Sequence, residues 1–190
     1  MPSNAPSSLP DGFTLHEGVV PDADAALAAL IAELPWENHV FRIFGRTVPM
    51  PRRIAWFGDV AYAYSGVTHA AAPMPPAVDS IRVCVEALTG CSFNTVLINL
   101  YRDGADSMGW HADDDYAPRT TSSIASVSLG AARRFDLRDR VTRARVATTL
   151  PHGSVLVMGE GTQARWMHQL PKVRGAVGPR VNLTFRDMAG

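Results

Sequence analysis

Thr95-Val-Leu-Ile-Asn-Leu-Tyr-Arg-Asp-Gly-Ala-Asp-Ser-Met-Gly-Trp-His-Ala-Asp-Asp-Asp115 is the stretch around which the chain is organised. It opens as an apolar strand, Thr95 to Tyr101, breaks at Gly104 and Gly109, and then delivers His111 and Asp113. On an extended chain, residues two apart point to the same face, so His111 and Asp113 are spaced to grip one ion. A neutral imidazole with a carboxylate suits a mid-series divalent metal such as iron better than the sulfur-rich sites of structural zinc. His-x-Asp is short enough for chance to supply it, so its meaning depends on what surrounds it.

The far end of the chain supplies His168 and then Arg180-Val-Asn-Leu-Thr-Phe-Arg186. In that strand Arg180, Asn182, Thr184 and Arg186 alternate with Val181, Leu183 and Phe185, so one face is apolar and the other carries two guanidiniums and an amide. An ordinary amphipathic strand turns such a face to water. The chemical alternative is a pocket for a small dicarboxylate, because Arg pairs bidentately with carboxylates. Asn99 and Tyr101, also two apart, would add neutral donors to it. A lone His in Trp166-Met-His-Gln-Leu170 is usually packed or at the surface, and His152 beside Gly153 is expected to be only that. As a third ligand, however, His168 would complete a two-His, one-carboxylate face that leaves metal positions open for other groups.

Outward from these two strands the texture is mixed. Leu27, Leu30, Ile31 and Leu34 recur at helical spacing and predict a helix over 22–34, ended by Pro35. Residues 39–57 read as a hairpin or loop in which aromatics mix with Arg42, Arg46, Arg52 and Arg53. Ala61-Tyr-Ala-Tyr-Ser-Gly66 alternates like a short strand, with Tyr62 and Tyr64 on one face. A second helix is predicted over 77–89, with Val78, Ile81, Val85 and Leu88 as its stripe and Gly90 as its stop. Short strand-like runs then follow at 94–101, 123–129, 133–138, 144–150, 153–158, 164–170 and 179–187. Many short strands after two helices predict an α+β chain that ends in a β-sandwich or jelly roll.

Of the 190 residues 46% are hydrophobic and 19% charged, which describes a folded, soluble chain of one domain. No apolar run reaches the ~18 residues a membrane span needs. The first residues lack the charged-then-apolar texture of a secretory signal, so a cytoplasmic protein is the expectation. Met1 to Gly12 reads as a flexible tail ahead of a single domain over 13–190. Cys84 and Cys91 make neither a disulfide framework nor a zinc site and are expected to be buried thiols. The 18 basic and 18 acidic residues cancel, which leaves nucleic acid neither favoured nor excluded, since a local basic face can hide inside a zero total. All basic residues but Lys172 are Arg, the side chain suited to bidentate phosphate contact.

The order of these motifs resembles the AlkB family of iron(II)/2-oxoglutarate dioxygenases, and specifically its nucleic-acid repair branch. The resemblance runs from about Phe41 to Met188. It is densest in Phe93-Asn-Thr-Val-Leu-Ile-Asn-Leu-Tyr-Arg-Asp-Gly104, Gly109-Trp-His-Ala-Asp-Asp-Asp115, Ile124-Ala-Ser-Val-Ser-Leu-Gly130, Gly161-Thr-Gln-Ala-Arg-Trp-Met-His168 and Pro179-Arg-Val-Asn-Leu-Thr-Phe-Arg186. It implies a double-stranded β-helix (jelly-roll) core over 93–190, preceded over 13–92 by helices and a nucleotide-recognition hairpin region. It implies that His111, Asp113 and His168 hold iron(II). Arg180 would pair with the distal carboxylate of 2-oxoglutarate and Arg186 with its chelating end, while Asn99, Tyr101 and Asn182 finish the pocket. Tyr64 would sandwich a flipped base against His111, with Tyr62, Ser65 and Asp115 near the base edge. Asp115 stands where some relatives carry Glu, a shorter reach. Ile43-Phe-Gly45 resembles a finger that fills the gap left by the flipped base, with Phe44 at its tip.

The activity so implied is oxidative demethylation of 1-methyladenine- or 3-methylcytosine-type bases in DNA by a monomer, with O₂ and 2-oxoglutarate consumed and succinate, CO₂ and formaldehyde released. Two other classes remain. One is the same chemistry on RNA or protein, and the other is a non-catalytic β-sandwich binding module. Intact His111, Asp113 and His168 count against the second.

Overall fold

A computed structural model describes residues 8–43, 46–64, 67–114 and 116–189, with side chains at all of these except 41–43, 62–64 and 67. Strand β1 (Phe13–His16) and helix α1 (Ala23–Glu33) lead into a long hairpin, β2 (Glu37–Ile43) and β3 (Arg46–Gly58), and a short one, β4 (Tyr62–Tyr64) and β5 (Val67–His69). Helix α2 (Pro76–Thr89) precedes β6 (Thr95–Tyr101), β7 (Met108–His111), β8 (Ile124–Gly130), β9 (Arg133–Asp139), β10 (Arg145–Leu150) and β11 (Ser154–Met158). The one-turn helix α3 (Thr162–Arg165), β12 (Trp166–Leu170) and β13 (Arg180–Arg186) complete the described elements. None of the helices is long and apolar enough to cross a membrane.

The strands form two main sheets. The larger has the order β1-β11-β8-β13-β6-β3-β2 and the smaller β10-β9-β12-β7, every neighbouring pair antiparallel. Apart from the hairpins β2–β3 and β9–β10, neighbouring strands in both sheets are not consecutive in sequence, so long-range crossings build a jelly roll rather than a meander. One face of the large sheet packs on the helices. Val96, Ile98 and Leu100 of β6, Val127 and Leu129 of β8 and Val181, Leu183 and Phe185 of β13 meet Leu30 of α1 and Val78, Ile81 and Val85 of α2 in one core. Leu88 departs from the expected stripe and is 36% exposed, while Val78, Ile81 and Val85 are buried. Gly90, left-handed at φ 68°, stops that helix where a side chain would be strained.

The other face of the large sheet looks toward the small sheet. Tyr101, Ile124, Phe135, Leu137, Trp166 and Leu170 form a second core between them. Since β13 lies between β6 and β8, all of its residues are buried, its polar face included. The amphipathic-strand expectation therefore fails in one respect: that face meets an internal cavity and not water. Register across the sheet puts Asn182 opposite Asn99 on one side and Ser128 on the other.

The predicted helices and most predicted strands stand within one or two residues of their expected ends. Strands β1, β5 and β7 and helix α3 were not predicted, each being four residues or fewer. Of the expected tail, Met1 to Ser7 lie outside the described residues, while Leu9 packs against the second core and the Gly159 N–H donates to Gly12 O. Cys84 and Cys91 are free thiols, half-buried and not fully so.

Candidate active site

His111 ends β7 and His168 lies in the middle of β12, and the register sets the two directly opposite each other. Their ring centroids are 4.2 Å apart and nearly perpendicular. Asp113 lies past the end of β7, in the bend that follows, so it reaches the histidines by a turn and not by continued strand alternation. Its carboxylate stands 3.9 Å from His111 Nε2 and 3.7 Å from His168 Nε2. One ligand atom from each of the three residues lies within 4.8 Å of the others. Gln163 of α3 fixes the turn, since its Oε1 accepts the Asp113 N–H at 3.0 Å.

The protonation states are those a cation requires. Burial lowers the His168 pKa to about 3, reinforced by His111, so the ring is neutral. Burial alone would raise the Asp113 carboxyl, but the Arg186 guanidinium, with His168 and His111, overrides it and holds the group at about 2. A neutral His168 imidazole and an ionised Asp113 carboxylate are the form in which these side chains bind metal. His111 Nδ1 lies 2.8 Å from Gly109 O, a contact that turns Nε2 toward the centre. Phe135 stacks on His168 at 5.3 Å and shields it from solvent.

A cavity of about 140 Å³ runs inward from this triad, lined by Asn99, Tyr101, Ser126, Arg180, Asn182 and Arg186 among others. Its size suits a compact ligand and not a drug-sized one. Arg186, 2% exposed, stands at the metal end with Nη2 donating to Asp113 Oδ1 at 2.7 Å. Arg180, also 2% exposed, lines the same cavity from the opposite end of β13. Its Nη2 donates to Ser128 Oγ at 2.8 Å, and its cation lies over the Tyr101 ring at 5.4 Å. Burial lowers its pKa to about 10, with Tyr101 opposing, so it remains charged at neutral pH. Among the described residues no carboxylate pairs with Arg180, and its Nε has no hydrogen-bond partner. An unpaired buried guanidinium is costly unless a ligand anion satisfies it. A dicarboxylate reaching from the triad to Arg180 fits that requirement.

The structure thus brings together His111, Asp113, His168, Asn99, Tyr101, Arg180, Asn182 and Arg186 around one cavity. Tyr62 and Tyr64 lie on β4. Phe44, Ser65 and Asp115 lie outside the described residues. Several contributors were not foreseen. Arg52 of β3, 2% exposed, donates from Nε to Asn99 Oδ1 at 2.8 Å and so orients that amide. Ser126 Oγ accepts from Asn182 Nδ2 at 2.9 Å, as does Val127 O at 2.8 Å. The signal for Ser126 and Ser128 was their alternation with Ala125, Val127 and Leu129 in β8. Gln163, on a single helical turn, carried no such signal.

A model of the 2OG-Fe(II) oxygenase superfamily matches residues 13–186. The chain is 38% identical over 177 residues to "Alpha-ketoglutarate-dependent dioxygenase alkB homolog 3" of Mus musculus, covering 88% of this chain and 62% of that protein. It is 41% identical over 157 residues to "DNA oxidative demethylase ALKBH2" of Homo sapiens, covering 77% of this chain and 60% of that protein. It therefore spans about 60% of the length of these curated relatives. The solved structure of OsALKBH1 superposes with a TM-score of 0.68 at 17% identity, over 95% of this chain and 100% of that one, a likeness of fold. With the family model spanning nearly all of it, the chain belongs to the 2OG-Fe(II) oxygenase superfamily, and within it to the AlkB family.

Proposed function

We propose that this protein is an oxidative demethylase of N-alkylated bases in DNA, of the 1-methyladenine and 3-methylcytosine type, using iron(II), 2-oxoglutarate and O₂. The observation that carries this reading is the cavity itself. It has a metal-competent triad at one end and a buried Arg180 without a carboxylate partner at the other.

His111, Asp113 and His168 would hold iron(II), which with 2-oxoglutarate and O₂ supplies the oxidation of the methyl C–H bond. The balance is one oxygen atom into the methyl group and one into succinate, with CO₂ lost. The hydroxymethyl product then releases formaldehyde and leaves the base N–H. The chain's own residues bind and orient. Arg180 would hold the distal carboxylate, and Arg186 would hold Asp113 in place while facing the chelating end. Asn182, tied to Ser126, and Asn99, tied to Arg52, would present fixed amides to the cosubstrate. Phe135 and the second core exclude water from the rear of His168.

A methylated base inside a duplex cannot enter such a pocket, so it must be flipped out or already single-stranded. Tyr64 and His111 would clasp the base, Tyr62, Ser65 and Asp115 would meet its edge, and Phe44 would occupy the vacated stack. The name of one relative, DNA oxidative demethylase ALKBH2, supports DNA as substrate. RNA carrying the same bases is the arm of the test that would redirect the reading.

The test is incubation with iron(II), 2-oxoglutarate and air of a DNA oligonucleotide carrying 1-methyladenine or 3-methylcytosine, beside its RNA counterpart. Loss of the methyl by mass from the DNA, in step with succinate, is the expected result. Faster loss from RNA would move the substrate class, and no loss from either would overturn the reading.

A further inference from the structure

Glu37, His39 and His69 meet in a group built from two hairpins, and none of the three lines the catalytic cavity. Glu37 and His39 lie two apart on edge strand β2, and His69 is the last residue of β5. His39 and His69 are buried, at 8% and 7% exposure, and their ring centroids are 5.2 Å apart. The Glu37 side chain is half exposed. Its Oε2 is 2.9 Å from His39 Nε2 and 3.6 Å from His69 Nδ1, and one ligand atom from each residue lies within 4.8 Å of the others.

Three features set this group apart from an ordinary His–carboxylate contact. First, ligand atoms bound to a tetrahedral zinc-class ion at ~2.0–2.2 Å stand about 3.3–3.6 Å from one another, a spacing that the 2.9 Å and 3.6 Å contacts of Glu37 Oε2 bracket and that all three ligand atoms, within 4.8 Å of one another, reach by small side-chain shifts. Second, His69 Nε2 is buried and has no hydrogen-bond partner among the described residues, a polar atom that an ordinary pair with Glu37 through Nδ1 leaves unsatisfied. Third, β4 and β5 make a two-stranded sheet of their own and share no ladder with either large sheet among the described residues. An isolated two-stranded hairpin is marginal in water and needs an anchor. His69 facing β2 stands where such an anchor is needed.

We propose that Glu37, His39 and His69 form a second divalent-cation site, of the zinc class, that ties the β4–β5 hairpin to edge strand β2. Two imidazoles and a carboxylate, with one position left to water, are a recognised zinc ligand set, and imidazole donors hold zinc more tightly than iron(II). The exposed Glu37 gives the ion its entry. The ion would tether the hairpin, and the oxidation stays with the triad. Its consequence for substrate rests on the function proposed above, since β4 carries Tyr62 and Tyr64, and a tethered β4 would hold them ready for the base.

The experiment uses the full chain with the catalytic triad disabled by His111→Ala and Asp113→Ala, so that it reads the second site alone. Equilibrium dialysis against buffered zinc(II), with bound metal measured by elemental analysis, should give one equivalent. Zinc should slow hydrogen exchange of backbone amides over 62–69 and raise the melting temperature by several degrees. Adding His69→Ala should remove all three effects. Glu37→Gln, at a half-exposed position that the fold tolerates, should weaken binding on the order of tenfold or more and keeps the test informative where His69→Ala fails to fold. No zinc bound by the triad-disabled protein, or equal binding after Glu37→Gln, overturns the site. Demethylation by the intact protein is measured separately, so either idea can fail without the other.

Discussion

Arg186 Nη2 donates to Asp113 Oδ1 at 2.7 Å, so the last strand and the metal triad share one buried ion pair. Breaking a buried pair by removing one partner costs about 3–5 kcal/mol, because the other charge is left uncompensated. Arg186→Ala is therefore expected to lose that much stability in chemical unfolding of the metal-free protein. Arg186→Lys should recover part of it, as a charge without the planar fork. A midpoint unchanged in Arg186→Ala would mean that the pair contributes nothing.

Arg180 tests the other end of the cavity. Losing the partner of a buried carboxylate costs ~2–5 kcal/mol, on the order of thirtyfold to several thousandfold in affinity. Arg180→Ala should raise the 2-oxoglutarate concentration needed for half-maximal succinate production by at least the lower figure, with the iron requirement little changed. A 2-oxoglutarate titration that superimposes on wild type removes Arg180 from the cosubstrate pocket.

A third expectation concerns acid stability. Asp139 caps the β9–β10 turn, its Oδ1 accepting the N–H groups of Val141 at 2.8 Å and Thr142 at 2.9 Å, and its Oδ2 that of Arg165 Nε at 2.9 Å. The Thr142 N–H and then Arg165 hold its pKa at about 2, below the ordinary 3.8. A carboxyl depressed on folding stabilises fully above its unfolded pKa, and that contribution fades as pH falls through the folded value. The stability gap between wild type and Asp139→Asn should thus be constant above about pH 5 and close between pH 4 and 2, followed by unfolding midpoints. A gap independent of pH down to 2 would show that the charge is not what matters there.

Much of this fold and site is legible in the sequence, and what is not has physical causes. The alternation of β13 exposed a polar face, and the order of His111, Asp113, His168 and the two arginines indicated what it faces. What alternation cannot say is whether a polar face meets water or a cavity. That depends on β6 and β8 flanking β13, a fact of pairing over distances of tens of residues. Arg52 was read as one of several hairpin arginines, and only the β3–β6 register brings it to Asn99. Gln163 lies on one helical turn, too short for any period to reveal. His69 closes a three-residue strand, and its meeting with Glu37 and His39 exists only in three dimensions.

Phe44 was assigned by resemblance and lies outside the described residues, so its test is functional. An apolar wedge offsets part of an unstacking cost of a few kcal/mol per step, a cost that exists only in a duplex. Phe44→Ala should slow repair of a methylated base in duplex DNA far more than in single-stranded DNA. Equal losses on both, with a lowered melting temperature, would make Phe44 a core residue.

The central claim is that one cavity couples 2-oxoglutarate consumption to removal of a methyl group from a nucleic-acid base. Its most direct measurement is the yield of succinate against methyl groups lost, from one oligonucleotide with and without 1-methyladenine, for wild type and Asp113→Ala. Wild type should give close to one succinate per methyl removed on the methylated strand and little succinate on the unmethylated one, and Asp113→Ala should give neither product. Succinate formed at the same rate with both oligonucleotides while the methyl stays in place, or turnover that survives Asp113→Ala, would contradict it.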